Sequence, residues 1–249
     1  MSTWENRYLS PGIGVVTSGV FNYRCPGGSA TAVPGTVLFG NTGEDFSCEH
    51  LDTAGNRRLY VALNPEFVEE VANDCCVDSA SFVEPALCPS SAATVIYGMV
   101  TKVANGGADD EEAIINLTAT ALRLHRRHRT RPTSLSQRAR LIDVVRHLEG
   151  GYASACSLTE LSGLAGLSRY HFIRVFRELT GASPHQYLMN SRMRAAADRL
   201  LDPTEPVTTI ALTVGFNDIS HFNRVFRKTF GVSPRQWRSP ARRSANPRS

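Results

Sequence analysis

No run of about eighteen apolar residues occurs in this chain, so a membrane-spanning helix is not expected. The opening residues Met1-Ser2-Thr3-Trp4-Glu5-Asn6 lack a basic start followed by an apolar stretch, so a secretory leader is not expected either. A cytoplasmic location follows as the expectation. Histidine is scarce where a metal enzyme would need it: residues 1–90 hold only His50. No Cys-x-x-Cys pair and no His-x-x-x-His pair exists, which leaves the common zinc arrangements unmet. Acidic residues are thin in the second half. Residues 132–249 carry 17 Lys+Arg against 8 Asp+Glu, a net of +9, whereas residues 1–131 carry 10 against 15, a net of −5. A basic half joined to an acidic half is the footprint of a nucleic-acid module attached to something else.

What is present suits a soluble globular protein. Hydrophobic residues make up 42% and charged residues 20%, and 249 residues are enough for two domains with separate cores. Cys25, Cys48, Cys75, Cys76, Cys88 and Cys156 are expected to be reduced thiols, given no export signal.

The first sixty or so residues read as strands and turns. Glycines punctuate short runs rich in Val, Phe and Thr. Val33-Pro34-Gly35-Thr36 reads as a turn, Val37-Leu38-Phe39 as a strand, and Leu59-Tyr60-Val61-Ala62-Leu63 as another. A small β-barrel or sandwich over about 10–64 is the reading. Helical signals follow over about 65–128. Asn64 caps a short helix begun by Pro65. Further helices are expected near 90–104 and 109–128. In the latter, Ile114, Leu117, Ala121 and Leu124 form an apolar stripe, which is either intramolecular packing or a dimer seam. The polar, Pro-containing stretch from Arg129 to Ser136 marks the domain boundary. The Pro/Ser/Arg-rich end, 240–249, reads as a disordered tail.

The strongest signal is a repeat. His171-Phe172-Ile173-Arg174-Val175-Phe176-Arg177 recurs 50 residues later as His221-Phe222-Asn223-Arg224-Val225-Phe226-Arg227. Aligning 167–188 with 217–238 gives 10 identities in 22 positions, so two copies of one structural unit are present. In the first copy, Ser157 and Glu160 form a capping box, Ala165-Gly166-Leu167 makes the turn, and Ser168 caps the next helix. Phe172, Val175, Phe176 and Leu179 fall on one buried face. Tyr170, Arg174 and Arg177 lie opposite, with Arg169 and Ile173 at the edge. The second copy opens at Pro206, turns at Val214-Gly215-Phe216 and caps with Asp218. There Phe222, Val225, Phe226 and Phe230 are expected buried, and Ser220, Asn223, Arg224 and Arg227 exposed. Ser183-Pro184-His185-Gln186 opens a connecting helix over 184–201. A rod of that kind can set two reading helices in successive major-groove segments. Arg can bind guanine in bidentate fashion and Asn adenine, while Arg177 and Arg227, one turn on, suit phosphate. His171 and His221 have valines at i+4, so they read as structural or phosphate-contacting rather than metal ligands.

At these residues the sequence resembles the AraC/XylS family of transcription regulators, over about 136–238. The resemblance rests on Leu161-Ser162 with Ala165-Gly166-Leu167-Ser168, on His171-Phe172 with Arg174 and Phe176-Arg177, and on Gly181, Ser183-Pro184 and Tyr187. It continues through Ile210-Ala211, Val214-Gly215-Phe216, Ser220-His221-Phe222, Arg224, Phe226-Arg227, Gly231, Ser233-Pro234 and Trp237. Ser162 departs from the family, which usually has Ala there. The resemblance implies a seven-helix all-α domain with two helix-turn-helix units, and an N-terminal sensor of cupin-like barrel form followed by dimerising helices.

The expected architecture is therefore α+β: a sensor and dimerisation domain over 1–131, a double helix-turn-helix domain over 132–239, and the tail. The expected function is sequence-specific DNA-binding regulation of transcription, with an effector bound to the N-terminal domain. The expected partners are double-stranded DNA, RNA polymerase, an effector that is a small molecule or a metal, and a second copy of the chain. No cofactor, membrane or catalytic residue is expected. Phe46-Ser47-Cys48-Glu49-His50 places Cys48 and His50 on one side of a strand, a pair able to bind a soft metal. A thiol- or metal-responsive regulator is thus one alternative, with buried inert thiols or an organic ligand in the barrel as others. A cupin-type enzyme would need more His and carboxylate ligands than residues 1–90 supply. A methyl-accepting repair sensor would need four spaced cysteines, which adjacent Cys75-Cys76 do not provide.

Overall fold

The computed structural model describes residues 3–51, 55–77, 79–107, 111–124, 135–154 and 156–238. Strands β1 (Thr3–Arg7), β3 (Phe21–Cys25), β4 (Gly28–Ala32) and β6 (Asp45–His50) form one sheet in the order β1-β6-β3-β4. Strands β2 (Gly12–Ser18), β5 (Val37–Gly40), β7 (Arg57–Ala62) and β8 (Ala86–Leu87) form a second, in the order β7-β2-β5-β8. All the pairings are antiparallel.

The sheets pack face to face. Phe21, Tyr23, Phe46 and Cys48 from the first meet Val16 and Leu38 from the second in one buried cluster. The alternate residues of the second sheet, Ile13, Val15, Val37, Phe39 and Val61, point the other way into a second cluster. That cluster is closed by α1 (Pro65–Asp74), α2 (Ser91–Lys102), a π-helical turn at Val103–Gly107, and α3 (Glu111–Leu124). Burial on both faces explains the unbroken apolar runs of β2 and β5. The result is three layers: sheet, sheet, helices.

Of the two expected forms, barrel and sandwich, the closed barrel is not found among the described residues. Among the described residues each sheet keeps open edges, β1 and β4 in one and β7 and β8 in the other. Ladder hydrogen bonds end there, so the unit is a sandwich rather than a cupin-like barrel. The strand region also begins earlier than expected, at Thr3. The local readings hold elsewhere. Asn64 accepts from the amide of Glu66 at the start of α1, and Thr36 N–H donates to the Val33 carbonyl across the predicted turn. The stripe on α3 packs inward: Leu117 and Ala121 are buried, with Ile114 and Leu124 packed beside them. The end of that helix at 125–128, most of the boundary stretch and the proposed tail lie outside the described residues.

Seven helices follow among the described residues: α4 (Leu135–Gly150), α5 (Leu158–Leu164), α6 (Arg169–Thr180), α7 (Pro184–Arg199), α8 (Val207–Thr213), α9 (Ile219–Phe230) and α10 (Pro234–Arg238). They build two cores. One gathers Leu141, Val144, Leu161, Phe172, Phe176 and Tyr187. The other gathers Met193, Ile210, Phe216, Phe222, Phe226 and Trp237.

The two halves of the chain also pack on each other. Val20 and Val33 of the sandwich join the first helical core. Helix α2 lies along α7 and reaches α9. The Tyr187 hydroxyl donates to the Pro34 carbonyl at 3.0 Å. Arg194, 4% exposed, sits beneath Gly35, with its guanidinium carbon 5.7 Å from the Tyr97 ring and 5.6 Å from the Tyr187 ring. Lys102 Nζ lies 4.5 Å from the Trp237 ring centroid, within cation–π range.

Candidate nucleic-acid interface

Each repeat copy folds as the residue pattern dictates. In the first, the Ser157 hydroxyl accepts from Glu160 N–H while the Glu160 carboxylate accepts from Ser157 N–H at 2.7 Å, completing the box that opens α5. Those bonds hold the Glu160 carboxyl below its ordinary pKa. The turn into α6 is made at Gly166, whose φ of +60° lies in the left-handed region. Ser168 then caps α6 through the amide of His171. In the second copy the turn is made at Gly215, φ +91°. A Cβ there would stand 2.4 Å from the Ala153 carbonyl oxygen, so close approach as well as φ selects glycine. Asp218 caps α9 by accepting from Ser220 N–H at 2.7 Å.

The buried and exposed faces of α6 and α9 are those the spacing predicts. Phe172, Val175, Phe176 and Leu179 are buried on α6, and Phe222 and Phe226 on α9. Val225 and Phe230 are only partly buried. Phe230 packs at a tilt against Trp237 at a centroid distance of 4.7 Å, near α2. On the outer faces, Arg169, Tyr170, Ile173, Arg174 and Arg177 are exposed on α6, and Ser220, Asn223, Arg224 and Arg227 on α9. Tyr170 stands out at 83% exposure. The outer face of α9 holds one further cation that the pattern did not single out, Lys228. Its signal was available, since it adjoins Arg227 one turn beyond Arg224.

Arg177 differs from its counterpart Arg227 in one respect. It borders a cleft of about 380 Å3 shared with Leu87 and Ser91 of the first half. The sandwich side therefore stands beside the Arg177 end of α6. His221 packs its ring on the edge of Phe216 at 5.4 Å, a structural use.

Helix α7 joins the copies. Its N-terminal box is complete, with Ser183 and Gln186 exchanging hydrogen bonds. It ends at Arg199, two residues short of the expectation. Sixteen residues at about 1.5 Å each give a rod of roughly 24 Å.

The pair singled out as a metal candidate sits in the sandwich. Cys48 is buried, and Arg58 Nη1 approaches its sulfur at 3.4 Å. Burial pushes the Cys48 thiol up, although Arg58 pulls the other way. His50 is half-buried beside Asn56. The remaining thiols are scattered. Cys75 and Cys76 end α1, Cys88 faces the Leu179 carbonyl, and Cys156 lies near His147. Among the described residues no cluster of three His, Cys, Asp or Glu side chains is placed to hold a metal. No described helix is long and apolar enough to cross a membrane.

A family model described as a helix-turn-helix domain matches residues 161–240. Among curated proteins the chain is similar to an uncharacterized HTH-type transcriptional regulator, YbfI of Bacillus subtilis. The two are 26% identical over 218 residues, 84% of this chain and 77% of that protein. It is also similar to the multiple antibiotic resistance protein MarA of Escherichia coli, 33% identical over 69 residues. That match covers 28% of this chain and 54% of MarA, so the chain spans about half of that relative's length. Among solved structures, the DNA-binding domain of the global transcriptional factor AdpA, in complex with a target DNA, is 32% identical. It covers 39% of this chain and 88% of that one, with a TM-score of 0.37.

Proposed function

The C-terminal region of this chain is a helix-turn-helix domain of the AraC type, and on that premise we propose that the protein is a sequence-specific transcription regulator whose two recognition helices, α6 and α9, enter successive major-groove segments of one DNA site. The observation that carries the reading is the matched pair of outer faces. Arg174 and Arg177 on α6, and Arg224 and Arg227 on α9, are exposed above an apolar face that is anchored in each core. A solvated cationic face has no reason to recur in register on two helices 50 residues apart.

The roles divide by position along each helix. Arg169, Tyr170, Ile173 and Arg174 read base edges in the first segment. Ser220, Asn223 and Arg224 do so in the second. Guanidinium groups suit guanine, the Asn223 amide suits adenine, and Ile173 suits a thymine methyl. Arg177 and Arg227 neutralise phosphate and fix register. The sandwich and its helices act as the effector-responsive half. Genome-wide mapping of DNA bound by the full chain tests the reading. A shared bipartite motif at the bound sites is expected, and binding without any sequence preference contradicts it.

A further inference from the structure

A cavity of about 540 Å3 opens where the two halves of the chain meet, and it belongs to neither reading face. Ser18 and Val20 come from the sandwich, Tyr97 from α2, Glu149 from the end of α4, and Arg194 and Asp198 from α7. The size is that of ordinary small-molecule sites, about 300–1,000 Å3.

The charges on its wall are unevenly satisfied. Three arginines reach it and each has a carboxylate of its own. Arg194 pairs with Glu149 at 2.6 Å, Arg199 with Glu205 at 2.5 Å, and Arg146 with Asp143 at 2.8 Å. Asp198 is the acid left over. Among the described residues it makes no direct ion pair: it accepts from the Tyr97 hydroxyl at 3.0 Å beside the Thr101 side chain, and the cation that acts on it, Arg194, is already bonded to Glu149. It is exposed and lines the cavity. An incoming anion would meet a carboxylate that has no direct ion-pair partner and shares Arg194 with Glu149. An incoming ammonium would supply the missing partner, and it could donate to Asp198 and Glu149 together.

We propose that this cavity is the effector site, and that it takes a small primary amine with its ammonium against Asp198. The proposal rests on the reading of the chain as an effector-controlled regulator. Protein around Asp198 desolvates its carboxyl and pushes the pKa up to about 6, with Tyr97 and Arg194 opposing. The amine has two chemical sources. A free α-amino acid would also offer a carboxylate to the rim guanidiniums of Arg146 or Arg199, whereas a diamine or polyamine would not. Either would touch side chains of both halves at once, so its binding energy would be spent on their relative placement.

The test is calorimetric titration of the full chain with two sets of probes: the free α-amino acids, and putrescine with spermidine. Each is paired with its N-acetylated form. At least one free amine should bind saturably while its acetylated form does not. Response to amino acids alone, or to polyamines alone, identifies the source. Asp198→Asn keeps an acceptor for Tyr97 but removes the charge. It should weaken that binding by about tenfold or more, the worth of a hydrogen bond to a charged group. No saturable binding by any free amine overturns the proposal, as does equal binding by Asp198→Asn. DNA binding with and without amine is scored separately. Its retention alongside a failed titration rejects the cavity alone, and its absence in both conditions rejects the regulator reading.

Discussion

Tyr97 on α2 donates its hydroxyl to the carboxylate of Asp198 on α7 at 3.0 Å, joining two residues 101 positions apart in the chain. The bond ties α2 to α7, the helix that joins the two helix-turn-helix copies. Around it, Arg194 Nη2 holds Glu149 at 2.6 Å and Ser191 at 2.8 Å. This polar knot joins α2, α4 and α7. Its chemistry sets how firmly the halves are joined.

The first prediction concerns pH. The Asp198 carboxyl is raised from an ordinary 3.8 to about 6, chiefly by burial, with Tyr97 and Arg194 opposing. A carboxyl raised in the folded chain favours folding while protonated. Its contribution is full below about pH 4 and is lost as pH rises through about 6. Asn cannot titrate. Asp198→Asn should therefore gain stability relative to the parent between about pH 4 and pH 7, with the gain complete above about pH 6. Thermal melts of both chains across that window check it, and a constant difference would show that this carboxyl does not titrate there.

Gly98 supplies the second. A Cβ at that position of α2 would stand 2.7 Å from Phe230 and 2.8 Å from the Trp237 ring. Both rings belong to the second recognition unit, and both must move to admit a methyl group. Gly98→Ala should push α9 off α2 while leaving each half folded, at a cost of about 1–3 kcal/mol for overpacking. The gain in helix propensity of Ala over Gly, about 1 kcal/mol, offsets part of it. Limited proteolysis and Trp fluorescence should report a looser junction. An unchanged Trp237 signal would mean that the packing seen here does not hold the unit.

The third separates readers from anchors. Arg174→Ala or Arg224→Ala should cost about 1–3 kcal/mol at a single operator position and relax preference there. Arg227→Ala should instead weaken all sites alike and lower the salt slope by about 1. Binding titrations over a set of single-base operator variants distinguish the two patterns. Unchanged affinity in the Arg174 and Arg224 variants would remove them as readers.

The fourth tests the core beneath the second reader. Phe226 is fully buried, 5.8 Å from Trp237 and 5.7 Å from Phe222. Phe226→Ala should cost about 3–5 kcal/mol and loosen α9. Denaturant unfolding measures the loss. A cost below about 1 kcal/mol would mean that α9 is held elsewhere, since fully buried aromatics rarely lose so little.

The helical half was legible because its sequence repeats. Two copies of one periodic pattern fixed the buried face of α6, the Phe222 and Phe226 part of that of α9, the caps at Ser168 and Asp218, and the turns at Gly166 and Gly215. The outer residues followed from the same geometry. The sandwich was harder. Strands such as β2 are buried on both sides, so Ile13, Val15 and Val16 give no alternation, and nothing local distinguishes a closed barrel from two open sheets. The stripe on α3 was legible as apolar but not as to its partner. Its inward packing leaves the expected dimer without that seam. Least legible was the junction. That Pro34-Gly35 would cover Arg194, or that Tyr97 would meet Asp198, depends on the placement of two halves relative to each other, and side-chain type alone carries no trace of it.

The central claim is that two recognition helices on one rod read two segments of one DNA site. It is tested most directly by inserting about five base pairs, half a helical turn, between the two halves of the selected operator. If α6 and α9 are coupled through α7, affinity should fall to that of a single half-site, and a second insertion restoring the full turn should not fully recover it because the rod is short. Undiminished binding to the half-turn operator would contradict a rigid pair of readers.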